Sequence, residues 1–232
     1  MKITYLENYA AMSEKAAQLI GSEVRKNPEL LFCAATGGSP TGMYSEMAKE
    51  KSIYANLRVI KMDEWGIIPL SHPDSCESYL KKHLLEPLEI AKEQYISFDT
   101  APEVVESECQ RIGQFIKENG PMDICILGLG KNGHIAFNEP AELLNPDFHK
   151  AVLAESTIAH DPTLSQGSEP AYGLCVGMEG IMQSKKIIFI VTGKGKQDAV
   201  NRIMEKKIGT DCPASFLWMH PNVECLIDSS AV

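Results

Sequence analysis

Short runs that are mostly apolar and rich in β-branched or aromatic residues recur along the chain at residues 2–6, 30–35, 57–62, 95–98, 122–127, 186–191 and 223–227. Runs of this length predict strands. Between them the apolar positions return at helical spacing. Residues 8–26 open on Asn8 as a cap, and residues 40–51 carry Pro40 in the first turn. Residues 74–88 start with Asp74 and Glu77 spaced as a capping box, and residues 102–119 set Val105, Cys109, Ile112 and Ile116 on one stripe ahead of Gly120. A further helix is predicted over residues 196–207.

Strands that alternate with helices, and that are apolar throughout rather than at every second position, predict an α/β fold. Its mostly parallel sheet is covered by helices on both faces, a three-layer, Rossmann-like arrangement. Residues 1–232 show no repeat, low-complexity tract or linker, so one domain is expected. The Pro- and Gly-dotted stretch 139–170 reads as a long irregular segment, of the kind that forms a lid or site wall. In such sheets ligands bind beyond the carboxyl ends of the strands, so a motif carries weight when it follows a strand.

Composition narrows the choice of ligand. With 31 acidic against 22 basic residues the formal charge is -9, and no Lys/Arg block faces nucleic acid. A small anion held by a few placed donors is compatible with that charge. The seven cysteines are scattered with no C-x-x-C pair, which reads as buried reduced thiols of a cytoplasmic protein. No signal-peptide core or membrane-length apolar run is present, so no membrane partner is expected. Neither histidines nor cysteines have chelating spacing, and no metal is expected.

Four strand-end loops carry polar chemistry. The first, Thr36-Gly37-Gly38-Ser39 before a helix, offers backbone N–H groups and hydroxyls suited to a phosphate. The Gly37–Gly42 spacing fits a Walker A loop, but Met43 stands at the lysine position, which disfavours a nucleoside triphosphate. A strand-to-helix turn needing glycine for geometry alone is the competing reading. The second, Asp63-Glu64-Trp65, sets two carboxylates beside an aromatic, placed for proton transfer or simply for solvation.

The third, Gly128-Leu129-Gly130-Lys131-Asn132-Gly133-His134, spells a dinucleotide fingerprint. Pro140 and Pro146 interrupt the helix that should follow, however, and His134 and Glu139 lie five residues apart in the same loop. The fourth, around Lys194 and Lys196, can close a lysine over an anion or stand as a surface turn. A nicotinamide enzyme, a sugar-phosphate sensor and an acid–base enzyme remain open on these residues alone.

The segments ATGGSP, MDEW, GLGKNGHIAFNEP and TGKGK, in that order over nearly the whole chain, resemble the amino-sugar-phosphate deaminase/isomerase family. MDEW, CESYL, Asn132 and PASFLWMH look closest to its galactosamine-6-phosphate isomerase branch. The resemblance implies a cofactor-independent reaction on a sugar phosphate, with Asp63 as the base at C2 and His134, helped by Glu139, opening the ring. It also implies that Thr36, Gly37, Gly38, Ser39 and Lys196 hold the phosphate. Two departures stand out: Asn132 occupies a position where family deaminases usually have aspartate, and the arginine that completes the phosphate clamp has no counterpart around residues 156–164, where His160 is nearest. The C-terminal extension of the regulated hexameric members is also absent, so the resemblance implies no effector site and no more than an unspecified homo-oligomer.

Overall fold

The computed structural model describes residues 1–160, 170 and 172–230. In chain order the elements begin β1 (Lys2–Leu6), α1 (Tyr9–Lys26), β2 (Leu31–Ala34), α2 (Gly38–Ala48), β3 (Arg58–Lys61), β4 (Asp63–Trp65), α3 (Cys76–Leu80) and β5 (Tyr95–Ile96). They continue with α4 (Val105–Asn119), β6 (Ile124–Gly128), β7 (His149–Ala151), α5 (Glu155–His160) and β8 (Gly173–Cys175). The last are α6 (Met178–Gln183), β9 (Lys186–Val191), α7 (Gln197–Met204) and β10 (Val223–Asp228).

Seven strands form one parallel sheet in the order β1-β10-β9-β6-β2-β3-β5, flanked by helices, as the repeated apolar runs require. β2 is buried at every position and β9 at all but its first, whereas the edge strands β1 and β5 are partly exposed. A strand covered on both faces has no polar side, which is why these central segments show no alternation. The chain steps outward from β2 to β3 and β5, returns to β6 on the other side of β2, and then steps outward the opposite way. The order therefore reverses between β2 and β6, where such folds open a crevice at the strand ends.

A second, three-stranded antiparallel sheet, β4-β8-β7, is not foreseen by the sequence pattern. Its strands are three residues long, too short for a periodic signal, and β7 lies inside the stretch expected to be irregular. Asp63 to Trp65 thus form a strand rather than a solvated turn. Met62 is the pivot between the sheets: its N–H bonds Ala34 O at 3.2 Å beside β2, and its carbonyl accepts from Val176 N at 3.0 Å beyond β8.

The expected capping box at Asp74 and Glu77 is replaced. Ser75 caps α3, its hydroxyl accepting from Ser78 N at 3.0 Å. The Glu64 carboxylate, fully buried, accepts from Cys76 N at 2.7 Å, Glu77 N at 2.8 Å and Trp65 N at 3.0 Å. Glu77 instead meets Lys61 at 3.1 Å, as Glu64 does at 3.0 Å, and Lys61 also donates to Phe98 O at 3.1 Å and lies over the Phe98 ring. Tyr95 and Ser97 hydroxyls donate to Glu77 at 2.9 and 2.6 Å. Burial would raise the Glu77 carboxyl, but Lys61 and these hydroxyls hold it below the usual range.

Lys61 is wholly buried between two carboxylates. Removing one partner of such a cluster strands the others. Lys61→Met is expected to destabilise the fold by about 3–5 kcal/mol, read from urea denaturation midpoints.

Candidate functional site

The carboxyl ends of β2, β6 and β9, together with β4, surround one cavity of about 500 Å³. That volume suits a ligand of hexose-phosphate size. Thr36, Gly37, Gly38, Ser39, Asp63, Asn132, His134 and Lys196, eight of the nine residues singled out in the sequence, line it. Glu139 does not. It stands behind His134 and Asn132, 9% exposed, and reaches the cavity only through them.

The first wall is the β2–α2 loop. Gly37 caps α2 with φ of 95°, a left-handed value that glycine adopts without strain. Its carbonyl is tied back by the hydroxyls of Tyr79 at 2.7 Å and Thr41 at 3.0 Å, and the Gly38 carbonyl by that of Tyr9 at 2.8 Å. In a planar trans peptide the N–H points opposite to the carbonyl, so Gly38 N–H and Ser39 N–H face away from those hydroxyls. They lie at the start of an 11-residue helix, where an anion is favoured.

The second wall is β4. Asp63 is 6% exposed and lines the cavity, while Glu64 is committed to the α3 N-terminus and Lys61. The two adjacent acids therefore have separate tasks, which their sequence could not distinguish. Trp65 packs on Phe137 with ring centroids 4.4 Å apart, joining β4 to the third wall.

That third wall is the β6 loop. Gly133 has φ of 94° and donates to Gly130 O at 3.1 Å, and Gly130 N donates to His134 O at 2.9 Å, closing a tight turn. A Cβ on Gly130 would collide with the His134 ring. The glycines of the fingerprint thus serve the histidine, and no helix follows them before β7, so the dinucleotide reading fails.

Within the turn, Glu139 Oε2 accepts from Asn132 Nδ2 at 2.7 Å and lies 3.3 Å from His134 Nδ1. Glu139 Oε1 accepts from Thr157 Oγ1 at 2.5 Å, and Asn132 Oδ1 accepts from His134 N at 3.1 Å. Burial would raise the Glu139 carboxyl, but His134, Thr157 and Asn132 together bring it down to about 2. It is thus an ionised acceptor at neutral pH.

The fourth wall is the β9 loop, where Thr192, Gly193, Lys194 and Lys196 line the cavity. Lys196 donates to Leu129 O and so bridges the β9 and β6 loops. Tyr9, from α1, and Thr157, from α5, also line the cavity and were not found from sequence. Neither follows a strand of the main sheet, so a search of strand ends passes over both. The His160 side chain and residues 161–164, where a phosphate-clamp cation was sought, lie outside the described residues. Among the described residues no cluster of His, Cys, Asp and Glu has metal-binding geometry, and no helix is long and apolar enough to cross a membrane.

A parallel α/β sheet whose strand-end loops gather an acid, a histidine–carboxylate pair and lysine around one cavity defines a class of small-ligand protein. The profile of the glucosamine-6-phosphate isomerase/6-phosphogluconolactonase family matches residues 7–226, and the chain belongs to that family. The protein AgaI of Escherichia coli (strain K12), which carries a deaminase name, is 38% identical over 228 residues, covering 97% of this chain and 90% of that one. A glucosamine-6-phosphate deaminase of Clostridium perfringens (strain 13 / Type A) is 34% identical, covering 100% and 98%. Among solved structures, a monomeric glucosamine-6-phosphate deaminase of the NagB superfamily superimposes with a TM-score of 0.92 at 30% identity, covering 99% and 98% of the two chains. A Trypanosoma brucei 6-phosphogluconolactonase superimposes at 0.80 with 18% identity over 98% and 95%, a likeness of fold.

Glu139 carries a pH signature. Its folded pKa of about 2 lies below the ordinary 4.5, so the stability it contributes is present above about 4.5 and is lost as pH falls toward 2. The difference in denaturation midpoint between wild type and Glu139→Gln is expected to be constant near neutrality and to shrink across that window.

Proposed function

We propose that this protein converts an amino-sugar 6-phosphate, galactosamine 6-phosphate, to tagatose 6-phosphate and ammonia. The observation that carries the reading is that Asp63 and His134, from different strand ends, open onto one cavity whose rim also holds the Thr36–Ser39 loop and Lys196. The choice of the galactosamine compound rests on the resemblance of MDEW, CESYL, Asn132 and PASFLWMH to that branch.

In this reading the phosphate sits on the N–H groups of Gly38 and Ser39 at the start of α2, with the Thr36 and Ser39 hydroxyls and the Lys196 ammonium beside it. Anchored there, the sugar extends toward β4 and the β6 loop. His134 takes the proton of the anomeric hydroxyl and returns one to the ring oxygen, which breaks the C1–O5 bond. Glu139 stabilises the imidazolium formed in between. Asp63 then removes the C2 proton of the open chain and delivers a proton to C1, passing through an enolamine. The product is a C2 imine, to which water adds, and ammonia leaves as the ketone forms. Each step is a proton transfer or an addition of water, so the residues that line the cavity supply the chemistry.

Ammonia release on incubation with galactosamine 6-phosphate and with its glucosamine epimer tests the reading. Release from the galactosamine compound is expected. Preference for the glucosamine epimer would reassign the substrate, and release from neither would refute the activity. Asp63→Asn is expected to lower turnover about a hundredfold or more, with KM largely kept. A raised KM with unchanged turnover would contradict the role of base.

A further inference from the structure

We propose that Thr157 is a positioning residue that clamps the Glu139 carboxylate, keeps the proton of neutral His134 on Nδ1, and leaves Nε2 as the nitrogen that exchanges protons with the ligand. This inference rests on the acid–base role given to His134 above, and it concerns a residue outside all four strand-end loops.

The argument is one of donors and acceptors. Glu139 is ionised and can only accept. Its Oε2 is shared by the Asn132 amide at 2.7 Å and His134 Nδ1 at 3.3 Å, and its Oε1 takes the Thr157 hydroxyl at 2.5 Å. A threonine hydroxyl has one proton, and at 2.5 Å from a carboxylate oxygen that proton is committed. The remaining lone pairs of Thr157 Oγ1 lie 3.3 Å from His134 Nδ1, so toward the imidazole the hydroxyl is an acceptor.

Nδ1 therefore faces two acceptors and no donor among these contacts. A bare Nδ1 would set lone pairs against lone pairs in a half-buried pocket, while a protonated one is satisfied by both. The neutral ring is then unprotonated at Nε2.

Thr157 does more than add a second acceptor. Asn132 and His134 both approach Oε2, so Oε1 has Thr157 as its printed partner, and this bond fixes the carboxylate plane. Without it Oε1 is left buried and unpaired, and the carboxylate can rotate away from Nδ1. Thr157 itself is 8% exposed and sits in the first turn of α5, its N–H bonded to Ala154 O at 2.9 Å. Its hydroxyl is thus held by a backbone that is already fixed.

Long-range ¹H–¹⁵N spectra of histidine-labelled protein, with His134 assigned by its loss in His134→Gln, test this without any substrate. Wild type is expected in the Nδ1–H form, with that proton shifted downfield by the carboxylate. In Thr157→Val the downfield shift is lost and the Nε2–H form becomes detectable, while Thr157→Ser keeps the wild-type spectrum. In parallel, turnover of Thr157→Val is expected to fall about ten- to a hundredfold with KM within about twofold, restored by serine.

A wild-type His134 in the Nε2–H form, or a Thr157→Val protein with unchanged spectrum and turnover, would overturn the proposal. A rise in KM alone would make Thr157 a ligand contact and would overturn it equally. If wild type turns over neither amino-sugar phosphate, the proposed reaction fails, while the spectra still decide the clamp.

Discussion

The structure depends on how the chain turns at Met62. The main sheet runs through β3 up to Lys61, and one residue later the backbone belongs to a different, antiparallel sheet. A bend of this kind inside a buried region is held by charge. Lys61 anchors the strand before it, Glu64 anchors the strand after it, and Glu77 ties both to α3. Glu64 also takes the first N–H groups of α3, so strand and helix are fixed by one carboxylate. Asp63, between the two anchors, faces the cavity because its neighbours are committed elsewhere.

The opposite wall follows a different rule. There the negative charge is recessed: Glu139 sits behind the imidazole, satisfied by three side chains, and only His134 and Asn132 present themselves to the cavity. A phosphate-bearing ligand thus meets N–H groups and lysine at one end, while the carboxylate nearest His134 is screened by the ring it serves. An acidic protein can hold an anion on these terms, since the local arrangement outweighs the overall charge of -9.

Much of this was legible in the sequence because it is local. Continuous apolar runs identified the central strands, and glycine and polar residues after them identified the loops at the switch point. Asn8 caps α1, accepting from Ala11 N at 3.0 Å, as its position suggested. What escaped is non-local. Glu77 has the spacing of a capping box but is drawn to Lys61, 3.1 Å away and 16 residues earlier in the chain. Glu64 and Asp63 look equivalent as neighbours and separate only once β4 pairs with β8. Thr157 follows no strand of the main sheet, so nothing in its surroundings marks a hydroxyl that will meet Glu139, 18 residues earlier.

The order of strands in the main sheet has a bearing on the family at large. Because β2, β6 and β9 each deliver their own loop to the same crevice from a separately hydrogen-bonded strand, one loop can be rewritten while the others keep their anchors. Divergence can then proceed segment by segment, retaining the grip on one end of a molecule while the chemistry applied to the other end is replaced. An architecture of that kind explains how proteins sharing fewer than one residue in five with this chain keep nearly its whole backbone trace.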